Sequence, residues 1–92
     1  MNTVLHISTR FISRMLGRGA RVENRVRNLL FPHISMTGRS LREQMRPGVK
    51  YFTLAGFYGD MARLEDEGVV LGWYETVETP GGAVRQRWYT LA

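Results

Sequence analysis

Arginine is the side chain with the most chemistry to offer in this sequence. Of 13 cations in 92 residues, all but Lys50 are arginine, whose planar guanidinium matches a pair of phosphate oxygens or the major-groove edge of guanine. A coding bias toward G and C gives the same excess with no function attached. Placement says more than the total: residues 1–50 carry ten cations and two acids, residues 51–92 three cations and six acids. Other reactive groups are scarce. The chain has no cysteine, hence no disulfide framework, thiolate zinc site or thiol nucleophile. His6 and His33 stand far apart in the sequence with no convergent carboxylate spacing, so a metal site has no support. There is no glycine-rich phosphate loop with its lysine, no serine-nucleophile motif and no paired-carboxylate site. Neither catalysis nor a cofactor is expected.

Length narrows the reading further. A chain of 92 residues makes one small domain that buries roughly two-thirds of the surface exposed on unfolding, which excludes a substrate cavity between two large lobes. No apolar run is longer than Leu29-Leu30-Phe31, far short of the roughly 20 residues that span a bilayer. No membrane partner is expected, and a cytoplasmic location is.

The elements that must hold the arginines can be read from periodicity. Residues 1–20 contain no acid, and Val4, Ile7, Phe11 and Met15 recur at helical spacing beside Arg10, Arg14 and Arg18, so this stretch is predicted to be an amphipathic basic helix ended by Gly17 and Gly19. Three roles fit it: a transit-type leader, a packing or dimerisation arm, or an arm laid on nucleic acid. The domain proper is expected over 21–92. A first helix runs over 21–31, with Val22, Val26, Leu29 and Leu30 on one stripe and Pro32 as its stop. A second, short helix over about 38–46 is opened by the capping-box spacing Ser40 to Glu43, with Thr37 as an alternative cap, and closed by Pro47-Gly48. A third spans 53–67, with Leu54, Phe57, Tyr58, Met61 and Leu64 forming its apolar set and Gly68 capping its end. Beyond Gly68 the texture becomes β-branched and aromatic over 69–77 and 83–91, separated by Pro80-Gly81-Gly82, which predicts a β-hairpin. Three helices followed by a two-stranded hairpin is the element order of an α+β, mainly α, winged helix-turn-helix.

Residues 53–91 carry a denser signal. The run Thr53-Leu-Ala-Gly56-Phe57-Tyr58, then Arg63-Leu64-Glu65-Asp66-Glu67-Gly68-Val69-Val70, Trp73, Gly81-Gly82 and Arg87-Trp88-Tyr89-Thr90-Leu91 resembles the winged-helix domain of the PadR family of transcriptional regulators. That family's pattern has a small polar start and an aromatic-Tyr pair, followed by Leu-x-Arg-Leu-Glu-x-x-Gly and two aliphatics. Its wing returns into Arg-Tyr-Tyr-x-Leu. The Arg-Leu-Glu-x-x-Gly core is shared with MarR-like and phage regulators. Family members usually continue into a C-terminal helix that makes the dimer, whereas the sequence ends at Ala92 on the last strand. A homodimer, if formed, is therefore expected through residues 1–20.

The resemblance implies sequence-specific binding of double-stranded DNA. If the third helix enters a major groove, its outward face holds Thr53, Ala55, Gly56, Gly59, Asp60 and Arg63. Thr53 would bond a phosphate or base, and Gly56 and Gly59 would let the backbone approach. Tight packing of that helix on a neighbour is the other explanation for the two glycines. Arg85 and Arg87 lie on one face of the returning strand and are expected to contact phosphate, as are Arg39 and Arg42 on the second helix and Lys50 in the turn. Glu65-Asp66-Glu67 would repel a duplex and should point away at the far end of the helix. Trp73, Tyr74, Trp88 and Tyr89 are expected in cross-strand pairs and core packing. The alternative reading is a protein-interaction module, which would show an exposed apolar patch where a DNA reader shows continuous positive charge. A weaker third is a non-specific architectural protein with steep salt dependence.

Overall fold

The computed structural model describes residues 17–92. It is an α+β fold of three helices and a three-stranded antiparallel sheet, an arrangement compatible with a winged helix. In chain order the elements are α1 (Arg18–Leu30), β1 (Met36–Thr37), α2 (Gly38–Met45), α3 (Leu54–Asp66), β2 (Val70–Thr79) and β3 (Gly82–Leu91). Most of the basic arm expected over residues 1–20 lies outside the described residues. Its last three residues belong to α1, because Gly19 continues the helix while Gly17, at φ 60°, sits just before it.

The helix ends follow capping chemistry. Thr37, not Ser40, caps α2: its hydroxyl accepts from the Ser40 N–H at 3.1 Å, and Ser40 inside the helix accepts from the Gln44 side chain instead. Thr53 caps α3 in the same way, accepting from the Gly56 N–H at 3.1 Å. At the other end Gly68 takes φ 75°, with Gly68 N–H donating to the Glu65 carbonyl and Val69 N–H to the Leu64 carbonyl. That is the paired 5→2 and 6→1 closure of a helix on a left-handed residue, which glycine enters without steric cost.

The sheet corrects the two-stranded expectation. β1, only two residues long, pairs with β3 at Met36–Tyr89 and Thr37–Trp88, so the order is β1-β3-β2. β2 and β3 stay in register from Val70–Leu91 to Thr79–Gly82, leaving Pro80-Gly81 as a two-residue loop. From Glu78 to Arg85 every residue is exposed: the outer half of the hairpin stands clear of the body.

One core joins all of this. Val22, Val26 and Leu30 from α1, Leu41 and Met45 from α2, Phe57, Met61 and Leu64 from α3, and Val49, Val69, Val70 and Tyr89 are buried together. Phe57 is at its centre, meeting the rings of Tyr51, Tyr58 and Tyr89 edge-on at 5.3, 5.1 and 6.4 Å, the arrangement that the ring quadrupole favours. Two members of the expected apolar set of α3 depart from it. Leu54, on the first turn, is 54% exposed and Tyr58 38% exposed, since Phe57, Met61 and Leu64 alone complete the inward stripe. Tyr58 is turned instead against the start of α2, where a Cβ on Gly38 would lie 2.9 Å from its hydroxyl oxygen. Of the hairpin aromatics only Tyr89 is core; Trp73 and Trp88 face one another across the strands, half-buried, and Tyr74 is exposed.

Candidate nucleic-acid interface

The middle of α3 is held by a small polar network. Asp60 Oδ2 accepts from the Tyr51 hydroxyl and from Arg18 Nη1, both at 2.8 Å, and the Arg18 guanidinium lies 4.7 Å from the Tyr51 ring centre. Burial, and then the Asp60 carboxylate that accepts its proton, hold the Tyr51 phenol well above its ordinary value, so it remains a donor throughout the neutral range. The network fastens α3 to the first residue of α1 and to the turn before α3. Asp60, expected on the open face, is thereby committed to the protein itself.

Two other charged side chains of α3, Arg63 and Glu65, are committed too. Arg63 Nη1 bonds both carboxylate oxygens of Glu67 at 3.1 Å, and Glu65 Oε1 accepts from Arg87 Nη2 at 2.6 Å. Two members of the acidic run 65–67 are thus neutralised within the fold, and Asp66 is the exposed one without a cation within 4.0 Å among the described residues. What α3 turns outward is slim: Ala55, Gly56, Gly59 and Ala62 are all exposed. A Cβ on Gly59 would meet nothing within 4 Å, whereas one on Gly56 would press to 3.3 Å from the capping Thr53 oxygen. Helix packing therefore does not account for Gly59, and room for the Thr53 cap accounts for Gly56.

The cations expected to contact DNA separate into two groups. Arg39, Lys50 and Arg85 are exposed and have no carboxylate within 4.0 Å among the described residues. Arg42 is half-buried with Glu43 at 3.9 Å, while Arg63 and Arg87 hold the ion pairs above. For Arg87, burial works against the charge, but the interactions with Glu65 and Tyr89 together outweigh it and raise the guanidinium further.

Two hollows border the first turns of α3. One, about 300 Å³, is lined by Thr37, Arg39, Tyr58, Val84, Gln86, Arg85 and Arg87; it opens along β3 where β1 no longer pairs with it. The other, about 450 Å³, is lined by Arg46, Lys50, Tyr51 and Phe52. The first brings together Arg39, Arg85 and Arg87, which stand far apart in sequence; the second adds Arg46, a cation that the sequence reading missed. Neither of the two surface patterns expected from sequence occurs in pure form. Cations gather in both hollows, while the surface of α3 between them is uncharged, and Phe52 and Leu54 at its start are 98% and 54% exposed.

Among the described residues no group of three or more His, Cys, Asp or Glu could hold a metal, and no helix is long and apolar enough to cross a membrane. No family model, curated protein or solved structure matches this chain.

Proposed function

We propose that the chain binds double-stranded DNA by setting the N-terminal half of α3 into a major groove, as a small PadR-like transcriptional regulator would. The observation that carries this reading is the arrangement of cations without acidic partners around a slim helix: Arg39 and Arg85 in one hollow and Lys50 in the other, where Arg46 stands beside it 3.7 Å from Glu43. A duplex presents phosphates on both sides of its groove, and contacts to them fix register while the helix meets base edges. The outward face of α3 suits close approach, with Ala55, Gly59 and Ala62 offering nothing longer than a methyl. Arg63 is held by Glu67, so bidentate guanine reading from α3 is disfavoured, and apolar contact with thymine methyls, together with the hydroxyls of Thr53 and Tyr58, supplies the discrimination.

Selection from a random duplex pool at near-physiological salt tests this. Recovery of a two-fold-related motif with half-sites about one helical turn apart is the outcome expected of a dimeric reader. Recovery without a motif would leave a non-specific architectural role, and no recovery would remove the DNA reading. A second reading, a winged-helix protein-interaction module, is favoured by one observation: the exposure of Phe52 and Leu54. Changing both to Ser would abolish partner capture under that reading, and under the first would leave the salt slope of duplex binding unchanged, since every cation is kept.

A further inference from the structure

The inner face of the hairpin carries an alternation of rings and guanidinium groups. Residues 85, 87 and 89 of β3 share a face, with Thr76, Tyr74 and Gly72 opposite them on β2. Passing outward from the body, Tyr89 is buried against Phe57; the Arg87 guanidinium lies 5.4 Å from the Tyr89 ring centre and 4.6 Å from that of Tyr74; and the Arg85 guanidinium lies 4.2 Å from the same Tyr74 ring. All three contacts fall within cation–π range.

The two arginines differ in everything else. Arg87 Nη2 donates to Glu65 at 2.6 Å and its side chain is 19% exposed. Both ends of this ion pair lie over the backbone of Gly72, where a Cβ would come within 2.6 Å of Arg87 Nη2 and of Glu65 Oε1. Gly72 is thus what lets the pair close. Arg85 is exposed and no carboxylate lies within 4.0 Å of it among the described residues, Glu78 on the same face included. It shares its hollow with Arg39, so two unneutralised cations face one opening.

We propose that Arg85 is the phosphate-contacting arginine of the wing, that Tyr74 is the platform that aims it, and that Arg87 serves the fold. The assignment rests on the duplex-binding reading and specifies its contact as a phosphodiester group of the DNA backbone. Stacking engages the face of a guanidinium and leaves its edge, with five donors in a fixed fork, free for a bidentate contact to two phosphate oxygens. A guanidinium already oriented by a ring has less freedom to lose on binding than one in open solvent. Arg87 cannot serve in the same way without leaving Glu65 unpaired. Tyr74 is a positioning residue, and its loss should weaken the contact without removing the charge.

The test measures affinity for a selected duplex over a range of salt concentrations. Arg85→Ala should lower the slope of log affinity against log salt by about one phosphate contact and weaken binding roughly tenfold, with the thermal midpoint unchanged. Arg87→Ala should lower the thermal midpoint and leave the slope as it was; if it folds too poorly to assay, Arg87→Met, which keeps the apolar stem, carries the same expectation. Tyr74→Leu should weaken binding several-fold at unchanged slope, and Tyr74→Phe should restore it. The assignment is overturned if Arg87→Ala reduces the slope as Arg85→Ala does, or if Arg85→Ala or Tyr74→Leu binds like the parent. A parent chain that binds no duplex overturns the duplex reading itself, a result distinct from a parent that binds and variants that do not differ.

Discussion

Helix α3 and the surfaces on either side of it use charge in opposite ways. On α3 and its C-cap, Asp60, Arg63, Glu65 and Glu67 are engaged in ion pairs or hydrogen bonds within the protein, and Asp66, in the last turn, is the one charge without a cation within 4.0 Å among the described residues. On α2, the turn and β3, Arg39, Lys50 and Arg85 are left to solvent. The element whose position suggests that it reads a ligand is therefore the one with the fewest ionic contacts to give, and its neighbours hold those contacts. Counting cations near a helix would miss this, because an ion pair removes a cation from what a phosphate can see while leaving the net charge of the region intact.

Four variants would break or sharpen that contrast. The largest effect belongs to the inward side of α3: Phe57→Ala should cost about 3–5 kcal/mol, read as a large fall in the denaturant midpoint, since Phe57 joins three other rings and is fully buried. Next comes the double change Arg39→Ala with Arg85→Ala. Stability should hold, while duplex affinity falls at least tenfold, about 1.4 kcal/mol, and the salt slope drops by about two contacts. Smaller and of mixed sign is Gly59→Ala. It should raise helix stability by about 1 kcal/mol, because its new methyl meets nothing, yet weaken duplex binding if the backbone must come close there. Equal binding by both proteins would show that close approach at position 59 is not needed. Least of all should Arg63→Ala matter: an exposed i,i+4 pair with Glu67 is worth about 0.5 kcal/mol or less, and duplex affinity should stay within twofold. A tenfold loss there would return guanine reading to α3 and end the contrast.

Much of this fold is legible in the sequence where the determinants are local. The Thr53 cap and the Gly68 closure bracket α3 within a residue of where the apolar period predicts, because both act across a single turn. Thr37 and Ser40 were both available as the cap of α2, and only the backbone decides between them. β1 was not legible: two residues have no period, and their partners Tyr89 and Trp88 lie at the far end of the chain. The site divides along the same line. Arg63 and Glu67 stand four apart, the spacing of a helical ion pair, so the neutralisation of Arg63 could be read from sequence. The pairing of Arg87 with Glu65 could not, since it depends on a sheet register and on the absence of a side chain at Gly72. Nor could the meeting of Arg39 with Arg85, or the Tyr74 ring beneath Arg85, be seen before the strands were aligned.

The central claim is that one surface, formed by the outward face of α3 and the free cations of α2, the turn and β3, meets the duplex. Chemical-shift mapping of the backbone amides on titration with a selected duplex locates that surface directly. The account predicts perturbations concentrated at residues 38–42, 50–62 and 84–86, with Leu71, Trp73, Val77 and Trp88 on the opposite face of the hairpin unmoved. Perturbations centred on that opposite face, with the start of α3 unchanged, would contradict it.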